Sequence, residues 1–190
     1  MTPPLDPLLR NPKVRPLITA DRISARCREL GEQISADYDG KDLTLVCILK
    51  GSMTFFCDLA RQIRIPMRVD TLQVSSYHSG THSSGVVKFI SDLSNPIEGR
   101  HVLLVEDIVD TGLTMSHLFE VLATRHPASL KLCSLLDKPS RRKVTVDIDY
   151  LGFTIPDEFV VGYGLDYGEF YRNLPDVSVL EAIPRLPEET

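Results

Sequence analysis

Residues Leu43 to Leu49 read Leu-Thr-Leu-Val-Cys-Ile-Leu, a near-continuous apolar run. A strand with one face in water alternates apolar and polar residues. A strand buried on both faces does not, and such strands belong to sheets covered by helices. The neighbouring segments supply those helices. Before the run, Thr19 is placed to cap a helix whose apolar residues Ile23, Cys27, Leu30 and Ile34 recur at helical spacing, with Asp39-Gly40 ending it. After the run, Phe55, Phe56, Leu59, Ala60 and Ile63 share one helical face, and Pro66 closes the pattern. Met67 to Ser76 reads as a second strand and His101 to Val105 as a third, followed by an amphipathic helix marked by Met115, Leu118, Phe119 and Leu122. Leu130 to Leu136 and Phe159 to Val161 add further strands. Strands alternating with helices predict an α/β fold with a doubly wound, mainly parallel sheet flanked by helices. Such sheets bind ligands beyond the carboxyl ends of their strands.

A chain of 190 residues fits one domain with a full core, so residues 1–190 are read as a single domain. No stretch approaches the ~20 apolar residues of a membrane span, and Met1 to Asp6 lacks the basic and apolar regions of a secretory signal. Cys27, Cys47, Cys57 and Cys133 form no CxxC pair and each lies in an apolar run, which predicts buried thiols of a cytoplasmic protein. A net charge of -5 argues against a dedicated nucleic-acid binder. The dense basic run Arg141-Arg142-Lys143 is expected to be a solvated loop.

The segment richest in chemistry is Val102 to Met115. A buried strand runs into Glu106 and Asp107, then Asp110, then the turn Thr111-Gly112-Leu113-Thr114 that opens a helix. A helix start offers unpaired N–H groups and a positive dipole end, which together bind phosphate. Gly112 allows close backbone approach, and Thr111 and Thr114 add hydroxyl donors. Carboxylates at a strand end can hold Mg²⁺ or accept hydrogen bonds from sugar hydroxyls. Acids at a helix start also favour the dipole, but that accounts for one or two of them. Three carboxylates in five positions beside a buried strand should repel one another and resist desolvation. A receiver-type acidic pocket scatters its acids over several strand ends and lacks the Thr-Gly-x-Thr turn.

Val105 to Thr114 resembles the phosphoribosyl pyrophosphate motif of type I phosphoribosyltransferases. The wider chain, roughly Leu43 to Pro175, resembles the hypoxanthine-guanine phosphoribosyltransferase family. The resemblance implies a small hood over the sheet, made by the N- and C-terminal segments. It also implies transfer of the phosphoribosyl group to a 6-oxopurine, hypoxanthine or guanine, giving IMP or GMP and pyrophosphate in purine salvage. Mg²⁺ would be the cofactor and a homodimer or homotetramer the assembly. Within the substrate-binding stretch Glu106, Asp107, Ile108, Val109, Asp110, Thr111, Gly112, Leu113 and Thr114, the acids Glu106 and Asp107 serve ribose and metal. Asp110 is the general base at purine N7, and the turn holds the 5′-phosphate. Leu113 brings no charge to that phosphate, where some relatives carry a basic residue.

The remaining matches are spread along the chain. Lys50-Gly51 lines the pyrophosphate site, in a turn where the family often has a non-proline cis peptide. Ser76-Tyr77 opens a polar catalytic lid that shields a cationic ribosyl centre from water. His78 and His82 in that loop lack a third ligand and are read as solvent-facing. Lys138 meets the purine O6, and a donor-only ammonium favours a 6-oxo over a 6-amino group. Phe159 stacks on the base and Val160 contacts it through its backbone. Asp166 helps a second Mg²⁺, and Arg172 reaches the pyrophosphate, whose oxygens suit a planar bidentate fork. The alternative is a non-catalytic sensor of phosphoribosyl pyrophosphate, which would not need Lys138 and Phe159.

Overall fold

The structure is a computed structural model that describes residues 6–76 and 87–186. In chain order the elements are α1 (Pro7–Arg10), β1 (Val14–Ile18), α2 (Ala20–Asp37), β2 (Leu43–Leu49), α3 (Met53–Ala60), β3 (Met67–Ser76) and β4 (Val87–Ser91). There follow β5 (His101–Val109), α4 (Leu113–Ala123), β6 (Ser129–Asp137), a 3-10 turn (Pro139–Arg141), β7 (Tyr150–Thr154), β8 (Val160–Val161) and β9 (Val177–Leu180).

Six strands form the main sheet in the order β4-β3-β2-β5-β6-β7. All neighbours are parallel except β4, which returns antiparallel beside β3. The apolar runs of β2 and β5 are covered on both sides, as their lack of alternation requires. Leu43, Leu45, Leu103 and Val105 pack with α2 and α3, while Val46, Ile48, Val102 and Leu104 pack with Met115, Leu118 and Leu122 of α4. A second, antiparallel sheet orders β1-β9-β8 and joins the two ends of the chain, which is the expected hood. Phe159–Val161, read as a strand of the main sheet, belongs to this hood instead. Among the described residues no helix is long and apolar enough to cross a membrane.

Three details differ from expectation. Thr19 stands at the N-cap of α2, but its side chain makes no capping bond; Asp176 accepts from the Ala20 N–H at 2.7 Å in its place. Cys27, Cys47 and Cys133 are buried, whereas Cys57 is exposed on the outer side of α3. The basic run is engaged rather than solvated: Arg142 pairs with Asp137, and the Lys143 N–H donates to Thr111 O at 2.9 Å.

Asp70 of β3 fastens the return from β4. Its buried carboxylate accepts N–H bonds from Thr71, Ser94 and Asn95. Burial acts to raise this carboxyl, but the three N–H donors outweigh it and hold it below its ordinary value. A folded pKa below the unfolded one stabilises the fold above about pH 4, and the gain is lost as pH falls through the folded value. Asp70→Asn should therefore cost about 1–3 kcal/mol at neutral pH. In urea unfolding the variant and native curves should converge as pH falls through the folded pKa of Asp70.

Candidate active site

The connections out of β2 and β5 part company. β2 leads through α3 to β3 on one side, and β5 leads through α4 to β6 on the other. A crevice opens where the winding reverses, outside the carboxyl ends of these two strands. Lys50, Gly51 and Glu106 to Thr114, singled out from the sequence, lie at these two strand ends.

The turn after β2 contains a cis Leu49–Lys50 peptide, as the resemblance implies, and is braced by a 2.5 Å hydrogen bond from Ser52 Oγ to Ile48 O. Gly51 is packed so tightly that a Cβ would overlap the Asp107 carboxylate. On its other side, a Cβ on Gly164 would overlap Gly51 O. Two loops and strand β5 thus meet at one point, with glycines at the two closest approaches.

β5 extends to Val109, four residues past its expected end at Val105, so Glu106 and Asp107 lie within the strand. Pairing with β6 carries it there, with Glu106 opposite Ser134 and Val109 opposite Asp137. Successive strand residues project to opposite faces, which separates the two acids. Glu106 lines a cavity of about 80 Å³ together with Asp110, Thr111, Gly112 and Thr114. Asp107 reaches the Lys50-Gly51 turn. Burial, and then the charge of Asp107, pushes the Glu106 carboxyl well above the usual range. Burial lifts Asp107 to about 6, against the Ile108 N–H and the nearby Arg172 charge.

Glu106 Oε2 is buried and has no hydrogen-bond partner. Such an oxygen is costly unless a ligand satisfies it. Among the described residues no three His, Cys, Asp or Glu side chains are grouped to hold a metal unaided. That donor set suits Mg²⁺, which takes one or two carboxylates and completes its octahedron with water and substrate phosphates. Asp166, the third expected metal residue, is engaged on both oxygens, by Arg172 at 2.8 Å and by the Glu169 N–H at 2.8 Å.

The helix start expected after Asp110 is present. α4 begins at Leu113, and its N-cap Gly112 has φ +83°, a conformation that suits glycine. A Cβ there would also strike Val144 O. The segment after the 3-10 turn fastens this bend, for Lys143 N–H and Val144 N–H both donate to Thr111 O.

Beyond the turn, Lys138 is 6% exposed and donates to Glu158 O at 3.0 Å. The next residue, Phe159, leaves its ring 53% exposed, edge-on to Tyr167 at 5.8 Å. Val160 is buried in β8. Asp157 ties this wall to Asp110: it lies 3.8 Å from Lys138 Nζ and 3.7 Å from Arg141, which is 3.3 Å from Asp110 Oδ1. An open aromatic face beside a buried donor-only cation and a carboxylate suits a flat, polar heterocycle.

Arg172 donates to Gly164 O at 2.8 Å and keeps its buried Nε without a partner. Lys50 Nζ meets Glu169 at 2.9 Å. The sequence reading missed Arg141, Asp157 and Glu169, all of which touch expected site residues. Ser76 ends β3, but its side chain, Tyr77, His78 and His82 lie outside the described residues. A groove of about 460 Å³ between α4, β6 and residues 145–149 is lined by none of the expected site residues.

A doubly wound sheet with a hood, an acidic strand end running into a glycine-capped helix start, and a tight glycine turn with a cis peptide are the features of a phosphoribosyltransferase. Accordingly, the family model described as a phosphoribosyl transferase domain matches residues 18–168. The hypoxanthine-guanine phosphoribosyltransferase of Mycobacterium avium is 50% identical over 179 residues, covering 91% of this chain and 87% of the relative. That of Streptococcus pneumoniae is 49% identical over 174 residues, with 92% and 97% covered. A solved hypoxanthine phosphoribosyltransferase from Staphylococcus aureus superposes with a TM-score of 0.87 at 48% identity, covering 90% of this chain and 93% of that one. The Trypanosoma cruzi enzyme, solved in complex with the product IMP, gives 0.83 at 43% identity, covering 90% and 95%. The chain belongs to the hypoxanthine-guanine phosphoribosyltransferase family.

Proposed function

We propose that this chain, folded as one phosphoribosyltransferase domain over residues 1–190, transfers the 5-phosphoribosyl group from phosphoribosyl pyrophosphate to hypoxanthine or guanine. The products are IMP or GMP and pyrophosphate, as in purine salvage. The observation that carries this reading is the buried Lys138 ammonium beside the exposed Phe159 ring, linked through Asp157 and Arg141 to Asp110.

In this reading the 5′-phosphate rests on the N–H groups and hydroxyls of Asp110 to Thr114. Glu106 and Asp107 take the ribose hydroxyls and hold Mg²⁺, with Asp166 toward a second ion. The metal, when bound, neutralises charge on the pyrophosphate. Lys50 and Arg172 stabilise the charge that builds on the departing oxygen, the kind of electrostatic help that is usually largest. Phe159 stacks on the purine, Val160 meets it through its backbone, and Lys138 donates to O6. As N9 forms its bond to C1′ and the bond from C1′ to pyrophosphate breaks, Asp110 accepts the N7 proton. Ser76 and Tyr77 would begin the lid.

The four free cysteines support a cytoplasmic enzyme, and the family resemblance supports assembly as a homodimer or homotetramer. Sedimentation would read the assembly. Activity is tested by pyrophosphate release with magnesium and each of hypoxanthine, guanine, xanthine and adenine. Lys138 cannot accept from a 6-amino group, so kcat/KM for adenine should be roughly 10²-fold or more below the better 6-oxopurine. No release with any base would favour a sensor, and equal use of adenine would remove Lys138 from its role.

A further inference from the structure

Glu169 lies in none of the roles above, yet it touches both cations assigned to the pyrophosphate. Its Oε2 accepts from Lys50 Nζ at 2.9 Å and its Oε1 from Arg172 Nη2 at 3.2 Å. One carboxylate therefore spans the turn after β2 and the loop after β8, which are 119 residues apart in sequence. The rest of Arg172 is already positioned without it, by Gly164 O and Asp166. Glu169 is also exposed, with a side chain 63% accessible, and it sits at φ +71° in the turn between Tyr167 and Phe170. An exposed side chain on a turn can swing out without disturbing the core. A structural brace would be expected deeper, between groups that have no other support.

We propose that Glu169 is an internal competitor for the pyrophosphate site, a carboxylate that neutralises Lys50 and Arg172 and must leave when a pyrophosphate group arrives. The proposal rests on the assignment of Lys50 and Arg172 to pyrophosphate and adds a residue that sets its affinity. Each cation serves phosphate oxygens less well while Glu169 neutralises it, and the carboxylate repels an arriving anion. The apparent dissociation constant is then the intrinsic one divided by the fraction of molecules with the carboxylate displaced. Exposed ion pairs are weak, so the competition is modest, about 3- to 10-fold. It also works on the product, because a carboxylate that returns to the cations favours release of pyrophosphate.

The test is equilibrium titration of the full chain with inorganic pyrophosphate and magnesium. Glu169→Gln should tighten binding by about 3- to 10-fold. Glu169→Asp keeps the charge but is one methylene short of spanning both cations, and it should recover a large part of the same gain. Tightening in the Gln variant alone would mean a general charge effect and would overturn the competitor role, as would native or weaker affinity in both variants. Arg172→Gln separates the premise from the proposal. If it weakens pyrophosphate while the Glu169 variants do nothing, the site stands and the competitor falls. If it has no effect, the pyrophosphate assignment itself fails, and the competitor with it.

Discussion

Asp110→Asn should lower turnover by about 10²–10⁴-fold, the range expected when a positioned general base is lost. The substitution keeps the shape of the side chain and the bend that carries it. It removes the capacity to take a proton at neutral pH. Asp110 Oδ1 is buried and accepts no hydrogen bond, although Arg141 lies 3.3 Å away. A buried oxygen left without a hydrogen bond is costly, and a substrate N–H would satisfy it. Phosphoribosyl pyrophosphate should bind nearly as before, since its phosphate meets the turn through N–H groups and hydroxyls that the substitution leaves in place. The loss should therefore fall on kcat with little change in KM for that substrate, the pattern of an interaction made in the transition state. Steady-state kinetics with both substrates varied would show it. An equal loss in affinity for phosphoribosyl pyrophosphate would move Asp110 from proton transfer to ground-state binding.

Gly51→Ala should cost roughly 10²-fold in kcat/KM, the penalty of displacing reacting groups by about 1 Å. The added methyl would overlap the Asp107 carboxylate, which comes from the neighbouring strand. The conflict cannot be relieved cheaply. If Asp107 withdraws, ribose and metal lose a ligand. If the turn withdraws, Gly51 O presses on Gly164, and the loop carrying Asp166 and Arg172 shifts with it. Kinetics paired with a melting curve would separate the two effects. Full activity at unchanged stability would show that the two loops and β5 do not meet as described.

Much of the main sheet was legible because its signals are local. β2 announces itself by seven apolar residues, and α2 by Ile23, Cys27, Leu30 and Ile34 on one face. The strands that went unread are short or mixed in composition. Val14–Ile18 contains Pro16, and Tyr150–Thr154 contains Gly152, where a Cβ would strike the Leu135 backbone. Their identity comes from partners distant in the chain. β1 pairs with β9, and β7 is held against β6. The extension of β5 through Glu106 and Asp107 runs against strand propensity and follows from the ladder with β6, which no local pattern discloses.

The candidate site divides along the same line. The acidic strand end, Gly112 and the Lys50-Gly51 turn could be found because backbone geometry and phosphate chemistry demand particular residue types at fixed spacing. Arg141, Asp157 and Glu169 could not, since each acts through ion pairs formed only on folding. Arg141 had been read with its basic neighbours as a solvated run. Its contacts with Asp110 and Asp157 place it at the edge of the proposed base pocket.

If the bend from Glu106 to Thr114 cradles a sugar phosphate, a crystal structure with phosphoribosyl pyrophosphate and magnesium will show it there. The 5′-phosphate should lie on the N–H groups of Thr111 to Thr114, with the ribose hydroxyls or the ion on Glu106 and Asp107. A phosphate bound elsewhere, with Glu106 Oε2 still unsatisfied, would contradict it.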